Sequence, residues 1–145
     1  MEEKRVLGID FGTRRIGLAL SDPLRILATA HSILENNADM WQKLVGIIRR
    51  ENVDLAVVGM PLTLKGERGS KAEEVQRFVE VLKQRVSIEV VYWDERFTTM
   101  IAERYRLASG IGRKARRTSK HELDAVAAAI LLQGFLDRTK NSLSC

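Results

Sequence analysis

A single α/β domain, a five-stranded mixed sheet with helices on both faces, is the fold class this sequence predicts, and three observations predict it. Three short apolar segments fill the first third of the chain, and the first two are joined too tightly for a parallel crossover. Segments with helical spacing then alternate with apolar strand-like runs, the βαβ pattern. The chain has 145 residues, 45% hydrophobic and 30% charged, so it has material for one core and spans one domain, 1–145.

The elements follow in order. Residues 5–10 read as a strand buried on both faces, and 15–21 as its antiparallel neighbour, with Phe11-Gly12-Thr13-Arg14 turning between them. Asp22-Pro23-Leu24 turns the chain into a third strand at about 28–33, completing an antiparallel meander. Trp41, Leu44, Val45 and Ile48 fall at helical spacing after the start signal Asp39-x-x-Gln42. Residues 54–60 form a buried strand stopped by Pro61. A polar loop leads to a capping box, Ser70-x-x-Glu73, and a helix with Val75, Phe78, Val79 and Leu82 inward. Residues 87–93 are the fifth strand and 98–108 a third helix, with Ile101, Tyr105 and Ala108 inward. A second capping box, Ser119-x-x-Glu122, opens the last and most apolar helix, 120–138. Right-handed crossovers make strands four and five parallel to strand one.

Composition excludes several classes. The apolar run near 125–132 is far short of a bilayer span, so no membrane association is expected. The N-terminus has no signal-peptide pattern, and a cytoplasmic location follows as the expectation. One cysteine and two histidines argue against disulfides and against Cys- or His-based metal sites. The net charge is +5, and 110–120 carries five basic residues and no acid, which suits a polyanionic partner.

Ligand sites in open α/β sheets lie at the carboxyl ends of parallel strands. Those ends carry Asp10, Gly59-Met60-Pro61 and Asp94-Glu95, and Asp124 lies in the first turn of the last helix, on the side of Ala127, Ala128 and Leu131. Clustered carboxylates repel unless a cation lies between them. Oxygen donors without His or Cys suit Mg²⁺ or Mn²⁺, and three such acids are what a two-metal phosphodiester hydrolase needs. Taken singly, each acid also has a plain structural role: Asp10 capping a turn, Glu95 pairing with Arg96, Asp124 answering the helix dipole.

The runs Gly8-Ile9-Asp10-Phe11-Gly12-Thr13-Arg14-Arg15-Ile16-Gly17-Leu18-Ala19, Val58-Gly59-Met60-Pro61, Asp94-Glu95-Arg96-Phe97-Thr98-Thr99 and Asp124-x-x-Ala127-Ala128-x-Ile130-Leu131 resemble the YqgF family, the RuvX-like pre-16S rRNA nucleases, also called Holliday junction resolvases. The resemblance covers about 6–136. It implies an RNase H-like fold, metal-dependent cleavage of nucleic acid and a role in maturing the 5′ end of 16S rRNA. It also implies Asp10, Glu95 and Asp124 as catalytic, metal-holding acids. Relatives with this fold often use four acids. Asp94 is the nearest fourth here, although in a regular strand it faces opposite Glu95. Gly134-Phe135 stands where relatives usually carry a tyrosine-containing pair.

Around the acids, Arg14 and Arg15 are placed to hold a phosphate, and Lys114, Arg116, Arg117 and Lys120 to contact the nucleic-acid backbone without reading sequence. Thr98 and Thr99 are expected to cap the third helix, with substrate contact as a further role. Trp41 and Trp93 read as core, and His121 as incidental surface. The expected partner is an rRNA precursor ahead of a DNA junction, acted on by a monomer or weak homodimer. Three alternatives stay open: a resolvase acting on DNA junctions, a non-catalytic nucleic-acid binder, and an ATP-binding protein, because Asp-x-Gly-Thr also resembles a phosphate motif of the actin, Hsp70 and sugar-kinase superfamily.

Overall fold

The computed structural model describes residues 4–61, 69–94 and 120–143, with the side chains of the last helix described from 125 to 139. Five strands form one sheet: β1 (Arg5–Phe11), β2 (Arg15–Ser21), β3 (Ala28–Glu35), β4 (Val53–Met60) and β5 (Glu89–Asp94), in the order β3-β2-β1-β4-β5. The meander is antiparallel, and β4 and β5 run parallel to β1, as right-handed crossovers require. Among the described residues the helices are α1 (Met40–Arg50), α2 (Ser70–Arg85) and α3 (Lys120–Leu143). The helix expected at 98–108 lies outside the described residues.

The pleat sorts β1 into two cores. Leu7 and Ile9 pack with Leu44, Ile48, Val75, Phe78 and Leu82 beneath α1 and α2. Val6 packs on the other face with Val57, Ala128, Leu131, Leu132 and Leu136 beneath α3. β1 is central and covered on both faces, which explains its nearly unbroken apolar run. Burying each of Leu131, Leu132 and Leu136 contributes roughly 1.5–3 kcal/mol.

Helix starts depart from the sequence expectations. Asp39 makes no side-chain cap, and it is Asn37 Oδ1 that accepts the Asp39 N–H, at 3.0 Å. Ser70 is already helical, so Gly69 caps α2 without a side chain and the expected capping box does not form. In α3 the buried stripe runs through Ala125, Ala128, Leu131, Leu132 and Leu136, with Ala127 only half-buried. Because that helix starts at Lys120, Asp124 opens its second turn rather than sitting in its first. Trp41 and Trp93 are half-buried against the two cores, in line with their reading as packing residues.

Candidate active site at the carboxyl edge of the sheet

Asp10 is the penultimate residue of β1. Alternation places it on the α3 face with Val6 and Gly8. Its partner across β2 is Gly17. The pairing Ile9↔Val58, continued by one residue, sets Gly59 of β4 on its other side. A half-buried carboxylate thus stands between two strands that carry no side chain beside it. Its oxygen donors are of the kind that Mg²⁺ or Mn²⁺ prefers.

Arg15 shares this face. Gly17 and Ala19 point toward α3, and Arg15 continues the alternation, diagonal to Asp10 across the β1–β2 pair. Diagonal neighbours lie about 7–8 Å apart, within reach of a guanidinium. Arg14 is exposed in the turn itself. The turn is tight: a Cβ on Gly12 would lie 2.5 Å from the Arg15 carbonyl oxygen. Asn36 braces it from the β3–α1 connection, donating its Nδ2 to the Gly12 carbonyl at 3.2 Å and its backbone N–H to Arg14 O at 2.8 Å. Sequence reasoning missed Asn36, and its only signal was an Asn-Asn pair in a turn.

The course of α3 relates its first turns to Asp10. Gly8 lies directly under the helix, where a Cβ would meet Leu132 Cβ at 2.8 Å and the Ala128 carbonyl at 3.0 Å. Further along, Gln133 clamps the opposite end of the sheet, its Oε1 accepting from Ala28 N at 2.8 Å and its Nε2 donating to Ile26 O at 2.9 Å. The helix therefore enters at the carboxyl edge of β1 and runs toward its start. From Gly8 to Asp10 the strand advances about 6.6 Å, and from Ala128 back to Asp124 the helix retreats about 6 Å. The backbone of Asp124 is thus on the Asp10 side of the contact.

Asp94 ends β5 level with Met60. Val90 packs with the α1/α2 core and Val91 and Trp93 with the α3 core, so alternation puts Asp94 on the face away from Asp10. Lys120 starts α3. Glu95, Thr98, Thr99, Lys114, Arg116 and Arg117 lie outside the described residues, as do the side chains of Lys120, His121 and Asp124. Among the described residues no group of three or more His, Cys, Asp or Glu side chains could hold a metal ion. Of the expected acids, only Asp10 and Asp94 have described side chains, and they are on opposite faces. No helix among the described residues is long and apolar enough to cross a membrane.

Comparison with known proteins agrees with this geometry. Residues 4–138 match the family model described as "RuvX: Holliday junction resolvase". A protein of Sulfurihydrogenibium sp. named "Putative pre-16S rRNA nuclease" is 38% identical over 136 residues, covering 92% of this chain and 90% of the relative. A Bacillus cereus protein of the same name is 37% identical over 138 residues, covering 92% and 98%. The solved structure of T. thermophilus RuvC with a Holliday junction substrate superposes with a TM-score of 0.58, at 13% identity over 94% of this chain and 96% of that one. At that identity the likeness shows the fold alone, and the fold is RNase H-like. The sheet order, the glycine-flanked acid on β1 and the match over nearly the whole length lead to one conclusion: the chain belongs to the RuvX family.

Proposed function

We propose that this protein is a divalent-metal-dependent endonuclease that hydrolyses phosphodiester bonds of structured nucleic acid, with the 5′ region of pre-16S rRNA as its substrate in the cytoplasm. One observation carries the reading. Asp10 stands between Gly17 and Gly59 at the carboxyl edge, on the face where α3 brings in the Asp124 segment. The names of the relatives at 37–38% identity favour the rRNA precursor over a DNA junction.

Asp10, Glu95 and Asp124 would hold Mg²⁺ or Mn²⁺, which supplies an activated water and stabilises the leaving oxygen. Asp10 offers its carboxylate from a strand covered on both faces, so little reorganisation is needed when substrate arrives. Arg15 would orient the phosphate from the same face, and Arg14 would hold a neighbouring one from the turn. The basic residues Lys114, Arg116, Arg117 and Lys120 would bind the backbone further out.

Asp10→Asn, Glu95→Gln and Asp124→Asn should each lower turnover on a pre-16S fragment by at least ~10²-fold. Binding in chelator should persist or tighten, because a repulsive charge is gone. Cleavage should need Mg²⁺ or Mn²⁺ and stop in EDTA, while circular dichroism stays unchanged, since both cores are built from apolar side chains and the acids lie at their rim. Near-normal activity of Asp10→Asn, or cleavage in excess EDTA, would refute the proposal. A junction DNA assayed in parallel, if cleaved in preference to the rRNA fragment, would transfer the reading to a resolvase.

A further inference from the structure

On the face opposite Asp10, two cavities share a wall. One, of about 460 Å³, lies between the β1–β2 turn, Pro61 and the start of α2. The other, of about 340 Å³, continues between that turn, α1 and α2. Phe11, Thr13 and Glu74 line both, so together they form one groove along α2 from Ser70 to Val81. Its head reaches the carboxyl edge of the sheet, where Asp10 stands on the other face. Phe11 follows Asp10 directly, and their Cα atoms are one peptide unit, about 3.8 Å, apart.

The chemistry of the groove is uneven in an informative way. Phe11 is the end of an aromatic row: its ring lies tilted on Phe78, centroids 4.8 Å apart, and Phe78 stacks on Trp41 at 5.0 Å. Arg85 covers Trp41 at 5.1 Å. Trp41 is engaged by Phe78 and Arg85, whereas Phe11 is half-buried and lines both cavities. Exposed Lys71 and Arg77 lie on either side of Glu74, about 9 Å apart along the helix axis. They are spaced for different phosphates of one strand. Glu74, between them, would repel a phosphate but can accept hydrogen bonds from base N–H groups.

A duplex presents phosphates outward and keeps its base faces stacked. An unpaired strand can splay a base onto an aromatic ring. We propose that this groove holds an unpaired segment of the nucleic-acid substrate, one base stacked on Phe11 and its flanking phosphates at Lys71 and Arg77. The position of that segment beside the scissile bond rests on the nuclease reading, but the binding itself does not.

The test compares an RNA duplex bearing a single-stranded overhang with the blunt duplex of the same sequence, by fluorescence anisotropy in EDTA. The pair Lys71→Glu/Arg77→Glu should weaken overhang binding at least ~10-fold and lower its log–log salt slope by about 1.4, roughly 0.7 per phosphate contact. Blunt-duplex affinity should not change. Lys43→Glu/Lys83→Glu, the same charge change on exposed positions outside the groove, should leave overhang binding intact. Phe11→Leu retains an apolar core contact and should cost about 5-fold or more on the overhang alone, as loss of one stacked base requires. Equal losses on blunt duplex, equal losses from the control pair, or no loss from either groove variant would overturn the proposal. Overhang selectivity that disappears in the groove variants of a protein showing no cleavage would sustain it while removing the nuclease reading.

Discussion

Replacing Gly8 with alanine tests how α3 is set against the candidate site. The added Cβ would lie 2.8 Å from Leu132 Cβ and 3.0 Å from the Ala128 carbonyl oxygen. Carbon atoms prefer about 3.5–4.0 Å, so the helix must retreat by roughly 0.7–1.2 Å. Gly8, Ala128 and Leu132 are all buried, and a close-packed interior cannot absorb the shift locally. Overpacking of this kind costs about 1–3 kcal/mol. Replacing glycine inside a strand returns about 0.5–1 kcal/mol. The expected net loss is roughly 0–2.5 kcal/mol, a fall in Tm of at most about 10 °C for a domain of this size. Activity should suffer more than stability. A displacement near 1 Å one helical turn from Asp124 should cost on the order of 10² in turnover, well below the melting temperature. Thermal unfolding and single-turnover cleavage on the same preparation check both figures. A Gly8→Ala protein with wild-type Tm and turnover would refute the close approach of α3 and the spacing built on it.

Replacing Lys114, Arg116 and Arg117 with alanine should flatten the slope of log affinity against log salt by about two to three and leave the cleavage position unchanged. An unchanged slope would move the backbone path to Arg14 and Arg15. Asp22 accepts the backbone N–H groups of Leu27, at 2.8 Å, and of Ile26, at 2.7 Å, and these bonds hold its carboxyl below the usual value of 3.8. Its contribution to the β2–β3 turn is therefore complete above that value and is lost as pH falls through the lower folded one. Amide shifts of Ile26 and Leu27 should titrate with a midpoint below 3.8, and a midpoint at or above it would contradict the hydrogen-bonded turn.

The meander and the direction of β4 and β5 were legible in the sequence because they depend on local facts. A turn of a few residues forces antiparallel pairing, and a crossover through a helix forces a parallel one. The acid at the end of β1 was legible for the same reason, since its place follows from strand length. The caps of α1 and α2 were not, because the residue that begins a helix is decided by how the helix docks, and one residue of slip removes a capping box. That Asp10 and Asp94 fall on opposite faces could be foreseen only conditionally, as it depends on the pairing Met60↔Asp94 holding to the end of β5. Three arrangements belong to the tertiary structure alone: Gly17 and Gly59 flanking Asp10, Asn36 bracing the turn of Arg14, and Leu132 resting on Gly8. Each joins residues distant in the chain through strand register or helix packing. Composition and periodicity determine which residues face inward, while register and packing determine which of them meet.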